Sequence, residues 1–229
     1  MSGRAVITGA SRGIGRATAL AFARRGLDLA LLGRPSVAHE ETVSLCREAT
    51  PRPDAEIRSI ACDVANPAAI ETAAAALGPP PTVVVNNAGV LHRGPTLWET
   101  EPEAYEQTMN VNVRAPYLLC RALIPAMLAA GRGRIVHIAS ISSTIGCPRQ
   151  AVYGASKWAL LGLHHALSDE LKDTGLQSMA VLPGSVRTDM LAQTPFPPDM
   201  EPEDVADVVV YAALDAPDAM QGADLKVYG

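Results

Sequence analysis

Tyr153 and Lys157 are the pair of residues whose types and spacing most directly suggest acid–base chemistry. They stand four residues apart in AVYGASKWAL, residues 151–160. Four residues is about one helical turn, so a helix here would place the phenol and the ammonium group on one face. Such a pair is either an ordinary surface contact or a proton donor, because a neighbouring cation lowers the pKa of a phenol. Proton transfer near neutral pH would require the pKa of Tyr153 to fall from about 10 to about 7.

A second candidate site is the stretch ITGASRGIG, residues 7–15, which follows a short β-branched run. Its glycines are Gly9, Gly13 and Gly15, in the spacing G-x3-G-x-G. Glycines let the chain turn tightly before a helix and let a pyrophosphate approach the helix N-terminus. This spacing is not the G-x-G-x-x-G of the usual dinucleotide fingerprint, and a plain turn between strand and helix is the alternative.

The residues after the second predicted strand indicate which dinucleotide would bind. An acidic residue there would bind the ribose 2′-hydroxyl of NAD, but the position holds Gly33, followed by Arg34. Arg12 lies in the glycine loop itself. Two guanidinium groups can bind a 2′-phosphate through charge-assisted hydrogen bonds, so the sequence favours NADP(H) over NAD(H). The alternative is that both arginines are solvated surface residues.

Strands and helices alternate along the chain, which predicts βαβ units and a parallel sheet with helices on both faces. We therefore predict an α/β Rossmann fold, a doubly wound sheet of about seven strands in a single domain, residues 1–229, with a short substrate loop at 189–201. The predicted strands are 4–8, 27–33, 56–62, 82–86, 133–140, 176–182 and 223–228. The predicted helices are 12–26, 38–49, 67–77, a long stretch to about residue 130 that breaks near Asn110–Asn112, and 152–173.

With these elements in place, the sequence resembles the short-chain dehydrogenase/reductase family of the classical type, in particular its 3-oxoacyl-[acyl-carrier-protein] reductases. The glycine loop matches the family pattern TGxxxGxG, and Tyr153-Gly-Ala-Ser-Lys157 matches YxxxK. Further matches are an NNAG motif, an Asp-Val pair after the third strand and a Pro-Gly motif with a downstream Thr. The matches run in the family's order from about residue 3 to residue 190.

The resemblance implies two sets of site residues. The catalytic set is Asn112, Ser140, Tyr153 and Lys157. The cofactor-binding set is Gly9, Ser11, Arg12, Gly13, Ile14, Gly15, Arg34, Asp63, Val64, Asn87, Ala88, Gly89, Tyr153, Lys157, Pro183, Gly184, Val186 and Thr188.

The reaction that the resemblance implies is hydride transfer between a nicotinamide and a carbonyl or secondary alcohol, with Tyr153 as general acid or base. Lys157 would lower the pKa of Tyr153 and hold the nicotinamide ribose. Ser140 would orient the carbonyl oxygen, and Asn112 would hold a water that links Lys157 to solvent. Two other functions stay open: a module that binds NADP(H) without turnover, and a sugar-nucleotide epimerase, which also uses YxxxK.

Composition limits the partners and the location. The chain has 229 residues and a net charge of −5, which argues against nucleic acid and anionic membranes as partners. No apolar run reaches about 18 residues, so we expect no membrane-spanning helix, and the N-terminus has no signal-peptide pattern. We expect a cytoplasmic protein with a small-molecule substrate, and the resemblance implies a homodimer or homotetramer. No metal spacing is present, and His164 and His165 are interpreted as packing or subunit-contact residues.

Overall fold

A parallel sheet forms the centre of the molecule. In the computed structural model, which describes residues 3–94 and 96–229, seven strands pair in the order β3-β2-β1-β4-β5-β6-β7, and every neighbouring pair runs parallel. The strands are β1 (Arg4–Thr8), β2 (Asp28–Gly33), β3 (Ile57–Ala61), β4 (Val83–Asn86), β5 (Gly133–Ile138), β6 (Leu176–Pro183) and β7 (Asp224–Val227). The predicted α/β fold with a seven-stranded doubly wound sheet is confirmed.

The described residues form seven α-helices. They are α1 (Gly13–Arg24), α2 (Val37–Ala49), α3 (Pro67–Ala75), α4 (Pro102–Met109), α5 (Ala115–Ala130), α6 (Ala151–Glu170) and α7 (Pro202–Val210). Helix α6 ends three residues before the predicted boundary at 173, because the chain turns through Asp173 and Gly175, whose φ angles are 61° and 81°. Left-handed backbone of this kind cannot continue a right-handed helix.

Side chains of the central strand point alternately to two helical layers. Ile7 of β1 packs with Phe22 of α1 and Val205 of α7 on one face. Val6, the next residue along, packs with Leu119 of α5 on the other face. Because successive residues of a strand face opposite sides, continuously apolar strands are what a sheet covered on both faces requires.

The strand order reverses between β1 and β4, and this reversal fixes where a ligand can bind. β2 and β3 lie on one side of β1, whereas β5, β6 and β7 lie beyond β4. Ile7 pairs with Val85, so the loops after β1 and β4 leave the sheet at the same edge. Ligands of open α/β sheets bind in the crevice at such a reversal.

The α-helix is interrupted near Asn110–Asn112 as predicted, but the chain stays helical: α4 ends at Met109, α5 begins at Ala115, and a π-helical turn, Asn110–Arg114, joins them. The result is one continuous helix, Pro102–Ala130. Pro116 has no N–H to donate to the carbonyl of Asn112, four residues earlier, so the regular α-helical pattern cannot pass this point. A wider turn replaces it, as is frequent at functional sites.

The continuous helix Pro102–Ala130 is long and apolar enough to cross a membrane by length and composition alone. It is a candidate that the apolar-run criterion did not identify. Core helices pass the same test, and Leu119, Leu123 and Met127 of this helix are buried in the packing on the sheet.

Candidate active site

The glycine loop lies directly against the loop that follows β4. The hydroxyl of Thr8 accepts hydrogen bonds from the backbone N–H groups of Asn87 and Ala88, both at 3.0 Å. The Asn87 side chain donates to the carbonyl oxygens of Thr8 and Gly9, at 2.9 and 3.1 Å. These four bonds join the two loops at the strand reversal, where the fold places a ligand crevice.

Two glycines of the loop have no room for a side chain. Gly9 has a φ of 69°, and a Cβ there would lie 2.9 Å from Ala88 Cα. A Cβ on Gly15 would overlap the Gly9 carbonyl oxygen and lie 2.5 Å from Asn87 Nδ2. The glycines therefore allow a close approach of backbone to backbone as well as a tight turn.

The N-terminus of α1 fits a pyrophosphate. Arg12 is the N-cap residue, and its side chain makes no capping hydrogen bond to the helix. The first N–H groups of α1 therefore have no side-chain acceptor, and they point where a helix dipole favours an anion. Ser11 lies immediately before the N-cap residue, and its carbonyl oxygen accepts two hydrogen bonds from Arg16, at 3.1 and 2.8 Å. Ile14 packs against the core behind it.

Lys157 is held at the carboxyl end of β5. Its ammonium group donates to the Ile138 carbonyl oxygen at 2.8 Å and lies 5.7 Å from the centre of the Tyr153 ring. A Cβ built on Gly89 would be 3.7 Å from this ammonium group, so the loop after β4 reaches Lys157. Burial lowers the pKa of Lys157 to about 8, which keeps most of the amine charged at neutral pH.

Tyr153 and Ser140 meet beside this lysine. Burial raises the pKa of the Tyr153 phenol, and a hydrogen bond with Ser140 opposes the rise. The expectation that Lys157 lowers the pKa of Tyr153 is therefore not met in the chain by itself, since loss of water around the phenol sets the direction of the shift. Tyr153 is 7% exposed and Ser140 is 9% exposed, so each keeps an edge at the surface.

Asn112 ties the π-helical turn to the loop after β4. Its Oδ1 accepts from the Val90 N–H at 2.8 Å, while its Nδ2 donates to the Val90 carbonyl and to Ser156 Oγ, both at 2.9 Å. Both N–H groups of the amide are therefore used. The side chain thus positions the loop and α6, and the second lone pair of its Oδ1 stays available for the predicted water.

The two arginines predicted to bind a 2′-phosphate have different surroundings. Arg12 makes an exposed ion pair with Asp189, with Nη1 and Oδ2 2.9 Å apart. Arg34 is exposed just after β2 and forms no ion pair with any residue in 3–94 or 96–229. At Gly33, a Cβ would lie 2.7 Å from Nδ1 of His39. The imidazole of His39 thus fills the space that an acidic side chain at position 33 would need.

The remaining predicted cofactor residues lie around the same sheet edge. Asp63 and Val64 follow β3 after one intervening residue, and the Asp63 carboxylate accepts from the Ala65 N–H at 3.0 Å. Pro183 ends β6, and Gly184 continues the pairing by donating to the Val227 carbonyl at 2.8 Å.

The segment after β6 returns towards the glycine loop. Val186 pairs with Met200 in an isolated bridge, which closes residues 189–201 into a short loop. A Cβ on Gly13 would lie 3.1 Å from the Thr188 methyl group. The loop therefore begins beside the N-terminus of α1.

The short chain dehydrogenase family matches residues 4–196 of this sequence. The chain belongs to the short-chain dehydrogenase family. Among its relatives is the short chain dehydrogenase pigC of Monascus ruber, 34% identical over 240 residues that cover 99% of this chain and 79% of that protein.

Solved structures of short-chain dehydrogenases share the fold over nearly the whole chain. A metagenomic short-chain oxidoreductase in complex with NADP is 36% identical, with a TM-score of 0.85 and coverage of 99% of this chain and 96% of that one. A 3-oxoacyl-[acyl-carrier protein] reductase of Brucella melitensis with bound NAD is 29% identical, with a TM-score of 0.89 and coverage of 99% and 89%. The family thus binds nicotinamide cofactors of both kinds.

Several side chains that organise this short-chain dehydrogenase site were missed in the sequence. Arg16 braces the glycine loop, Ser156 accepts from Asn112, Asp189 pairs with Arg12, and His39 packs on Gly33. Only Ser156 carried a local signal, since it lies inside the YxxxK motif. The others depend on contacts between residues far apart in the chain.

A buried histidine of this short-chain dehydrogenase predicts how its stability depends on pH. His137 on β5 is fully buried, and its Nδ1 lies 3.3 Å from the amide nitrogen of Asn86. Burial, with smaller contributions from the charges of His164 and Lys157, lowers the pKa of His137 to about 3. In the unfolded chain the pKa is about 6.5, so between these values the unfolded chain holds the proton and the folded chain does not.

We expect the free energy of unfolding to fall as pH drops below about 6.5, with His137 contributing a slope of about 1.4 kcal/mol per pH unit. Urea titrations at several pH values between 4 and 7 would measure it, using about 1 mM EDTA throughout. His137→Asn keeps an acceptor for Asn86 and removes the titration, so its slope should be smaller by that amount. An unchanged slope in His137→Asn would contradict the assignment.

Proposed function

We propose that this short-chain dehydrogenase reduces carbonyl compounds with NADPH, and oxidises the matching secondary alcohols with NADP⁺, with Tyr153 as the proton donor and acceptor. The observation that carries the proposal is the meeting of three groups at one end of β5. The Lys157 ammonium donates to the carbonyl of Ile138, the last residue of β5 and two residues before Ser140, and it lies 5.7 Å from the centre of the Tyr153 ring. The bound nicotinamide would supply or accept the hydride.

The protonation states support the reducing direction. A raised pKa keeps Tyr153 protonated at neutral pH, as a general acid must be before it donates to the oxygen of a reduced carbonyl. Lys157, with a pKa of about 8, stays mostly cationic and would stabilise the phenolate left behind. Its hydrogen bond to the Ile138 carbonyl holds the amine at the carboxyl end of β5.

Ser140 would orient the substrate. Its oxygen accepts from the Ser142 N–H at 3.1 Å, and its own proton can be donated either to the Tyr153 oxygen or to a substrate carbonyl. A hydroxyl donor beside the reacting carbonyl stabilises the charge that develops on the oxygen. Asn112 would act as a positioning residue, because its side chain holds Val90 and Ser156.

We propose NADP(H) as the preferred cofactor. Gly33 supplies no carboxylate for a ribose 2′-hydroxyl, and His39 fills the space where one would stand. Arg34 follows at once and is exposed, and Arg12 lies at the start of α1. A 2′-phosphate could bind Arg34 directly, whereas it would compete with Asp189 for Arg12. Exposed ion pairs contribute only about 0–1 kcal/mol, so that competition is weak.

Replacing Arg34 with Gln tests this preference. We expect the KM for NADPH to rise about 10- to 100-fold, because the variant loses a hydrogen bond to a charged group. The KM for NADH should change less than about twofold. Steady-state kinetics with both cofactors would measure the split. Arg24→Gln is the matched control, because Arg24 is also exposed and lies at the opposite end of α1. Equal effects of Arg34→Gln on both cofactors would contradict the assignment.

The reaction itself is tested by following NADPH oxidation with a panel of 3-oxoacyl thioesters, small ketones and keto sugars. We expect saturable turnover with at least one member. Tight NADPH binding without any turnover would instead indicate a nucleotide-binding module. Conversion of a sugar nucleotide with no net change in the cofactor would indicate an epimerase.

We further propose that the chain acts as one domain, residues 1–229, in the cytoplasm, on a small-molecule substrate and without nucleic acid or membrane partners. The net charge of −5 supports the proposal on partners.

We also propose a homodimer or homotetramer built on the long helices. Tyr117 and Trp158, which are 48% and 54% exposed on those helices, support it, since aromatic residues are enriched at interfaces.

A further inference from the structure

Three potential metal ligands meet on the outer edge of the molecule, away from the cofactor crevice. His164 and His165 are consecutive residues of α6, and Asp224 begins β7. One ligand atom from each lies within 4.8 Å of the other two. The two imidazole ring centres are 5.1 Å apart, so both rings stand next to the same carboxylate.

His164 is the residue that requires an explanation. Its side chain is fully buried, yet its Nε2 atom has no hydrogen-bond partner among the described residues. Buried polar atoms without a partner are rare in native proteins, because desolvation without a replacement bond costs free energy. Acceptors around the ring are the backbone of Gly222 and the Asp224 carboxylate, whose Oδ1 is 3.6 Å from Nε2 and too far for a hydrogen bond.

The other ring nitrogen of His164 is already held. Its Nδ1 lies 2.7 Å from the hydroxyl of Ser178 on β6, which is itself fully buried. The Ser178 hydroxyl can accept a proton from Nδ1, and in that tautomer Nε2 carries a lone pair 3.6 Å from Asp224 Oδ1. A histidine whose second nitrogen donates to a neighbouring group is the usual arrangement at metal centres, because that bond fixes the tautomer and the ring.

The separations suit ligands that share one small cation. Two ligands about 2.0–2.1 Å from a tetrahedral ion lie roughly 3.3 Å apart. His164 Nε2 is 3.6 Å from Asp224 Oδ1, and the ligand atoms of the two histidines lie within 4.8 Å of each other. His165 Nε2 hydrogen-bonds to both Asp224 oxygens, at 3.1 and 3.0 Å, and a bound cation would replace this contact. Two imidazoles and one carboxylate favour first-row transition metals over Mg²⁺ or Ca²⁺, which prefer oxygen ligands alone.

We propose that His164, His165 and Asp224 bind one divalent transition-metal cation of the Zn²⁺ class, with water completing the coordination. The site joins α6, the helix that carries Tyr153 and Lys157, to β7, the last strand of the sheet. Binding to the folded chain alone raises its stability by mass action. The sequence predicts no such site, because Asp224 is 59 residues from His165. The proposal does not depend on the proposed function.

The test uses the full chain stripped with EDTA and then titrated with Zn²⁺ against a chromophoric chelator, and separately with Co²⁺ followed by its visible absorption. We expect one equivalent of Zn²⁺ to bind and Co²⁺ to give the intense bands of a tetrahedral site. His165→Gln and Asp224→Asn should each weaken binding at least ~10-fold. His165 and Asp224 side chains are 51% and 28% exposed, so both variants are expected to fold, and circular dichroism in EDTA would check this.

His92→Gln is the matched control, because it removes a histidine from a loop after β4 and leaves the cluster intact. Its Zn²⁺ binding should equal that of the wild type. The proposal would be overturned by the absence of saturable Zn²⁺ binding to the wild type. It would equally be overturned by binding that survives both His165→Gln and Asp224→Asn, or by binding that is lost in His92→Gln.

Discussion

Replacing Tyr153 with Phe is expected to lower kcat for carbonyl reduction by about 10³-fold, within the range that general acid catalysis supplies. The Kd for NADPH should change by less than about twofold, because Phe keeps the ring and removes only the phenol oxygen. Tyr153 is a buried residue of α6 and is 7% exposed. Phe fills the same buried volume as the Tyr153 ring. Initial rates of NADPH oxidation and a fluorescence titration of NADPH would measure the two quantities separately.

Tyr105→Phe provides the control for loss of a phenol, because Tyr105 is 50% exposed on α4. It should leave both quantities unchanged. If Tyr153→Phe kept wild-type kcat on every substrate that turns over, Tyr153 would not be the proton donor and the proposed chemistry would fail. If instead it abolished NADPH binding, its role would be to hold the cofactor.

Replacing Gly15 with Ala is expected to destabilise the protein and to weaken NADPH binding at least ~10-fold, since both effects follow from a clash with backbone that cannot move aside. The added Cβ would overlap the Gly9 carbonyl oxygen and lie 2.5 Å from Asn87 Nδ2. Overpacking of this kind costs about 1–3 kcal/mol. In an ordinary helix the same substitution stabilises by roughly 0.5–1 kcal/mol, so even the sign of the change is informative. Urea unfolding and NADPH titration would measure the two effects.

Gly162→Ala is the matched control, because Gly162 lies within α6 and a Cβ there meets no atom within 4 Å. It should be neutral or stabilise by up to about 1 kcal/mol. A stabilising Gly15→Ala with unchanged NADPH affinity would show that the glycine loop does not pack as described.

The features that could be predicted from the sequence are those that depend on residues close together in the chain. Apolar β-branched runs such as RAVIT marked the strands, and glycine spacing marked the loop before α1. The order of the motifs then predicts that Ser140, Tyr153 and Lys157 share one site. Ser140 follows the end of β5 in the chain, and Lys157 bonds to the carbonyl of Ile138, the last residue of that strand. These inferences needed no knowledge of long-range packing.

The features that could not be predicted depend on contacts across the fold. Burial of Tyr153 sets the direction of its pKa, and burial is a property of the packed molecule. The Ile138 carbonyl that holds Lys157 is 19 residues away in the sequence and is a backbone atom with no sequence signature. The asparagines predict an interruption of the α-helix near Asn112, whereas its form, a π-helical turn, follows from the missing N–H of Pro116.

The most direct test of the central claim is transfer of deuterium from NADPH labelled on the transferable carbon of its nicotinamide to a carbonyl substrate, followed by mass spectrometry of the product. We expect one deuterium on the new carbinol carbon for each NADPH oxidised, and we expect Tyr153→Phe to lose that transfer. NADPH that binds to the wild type but passes no label to any carbonyl in the panel would contradict it.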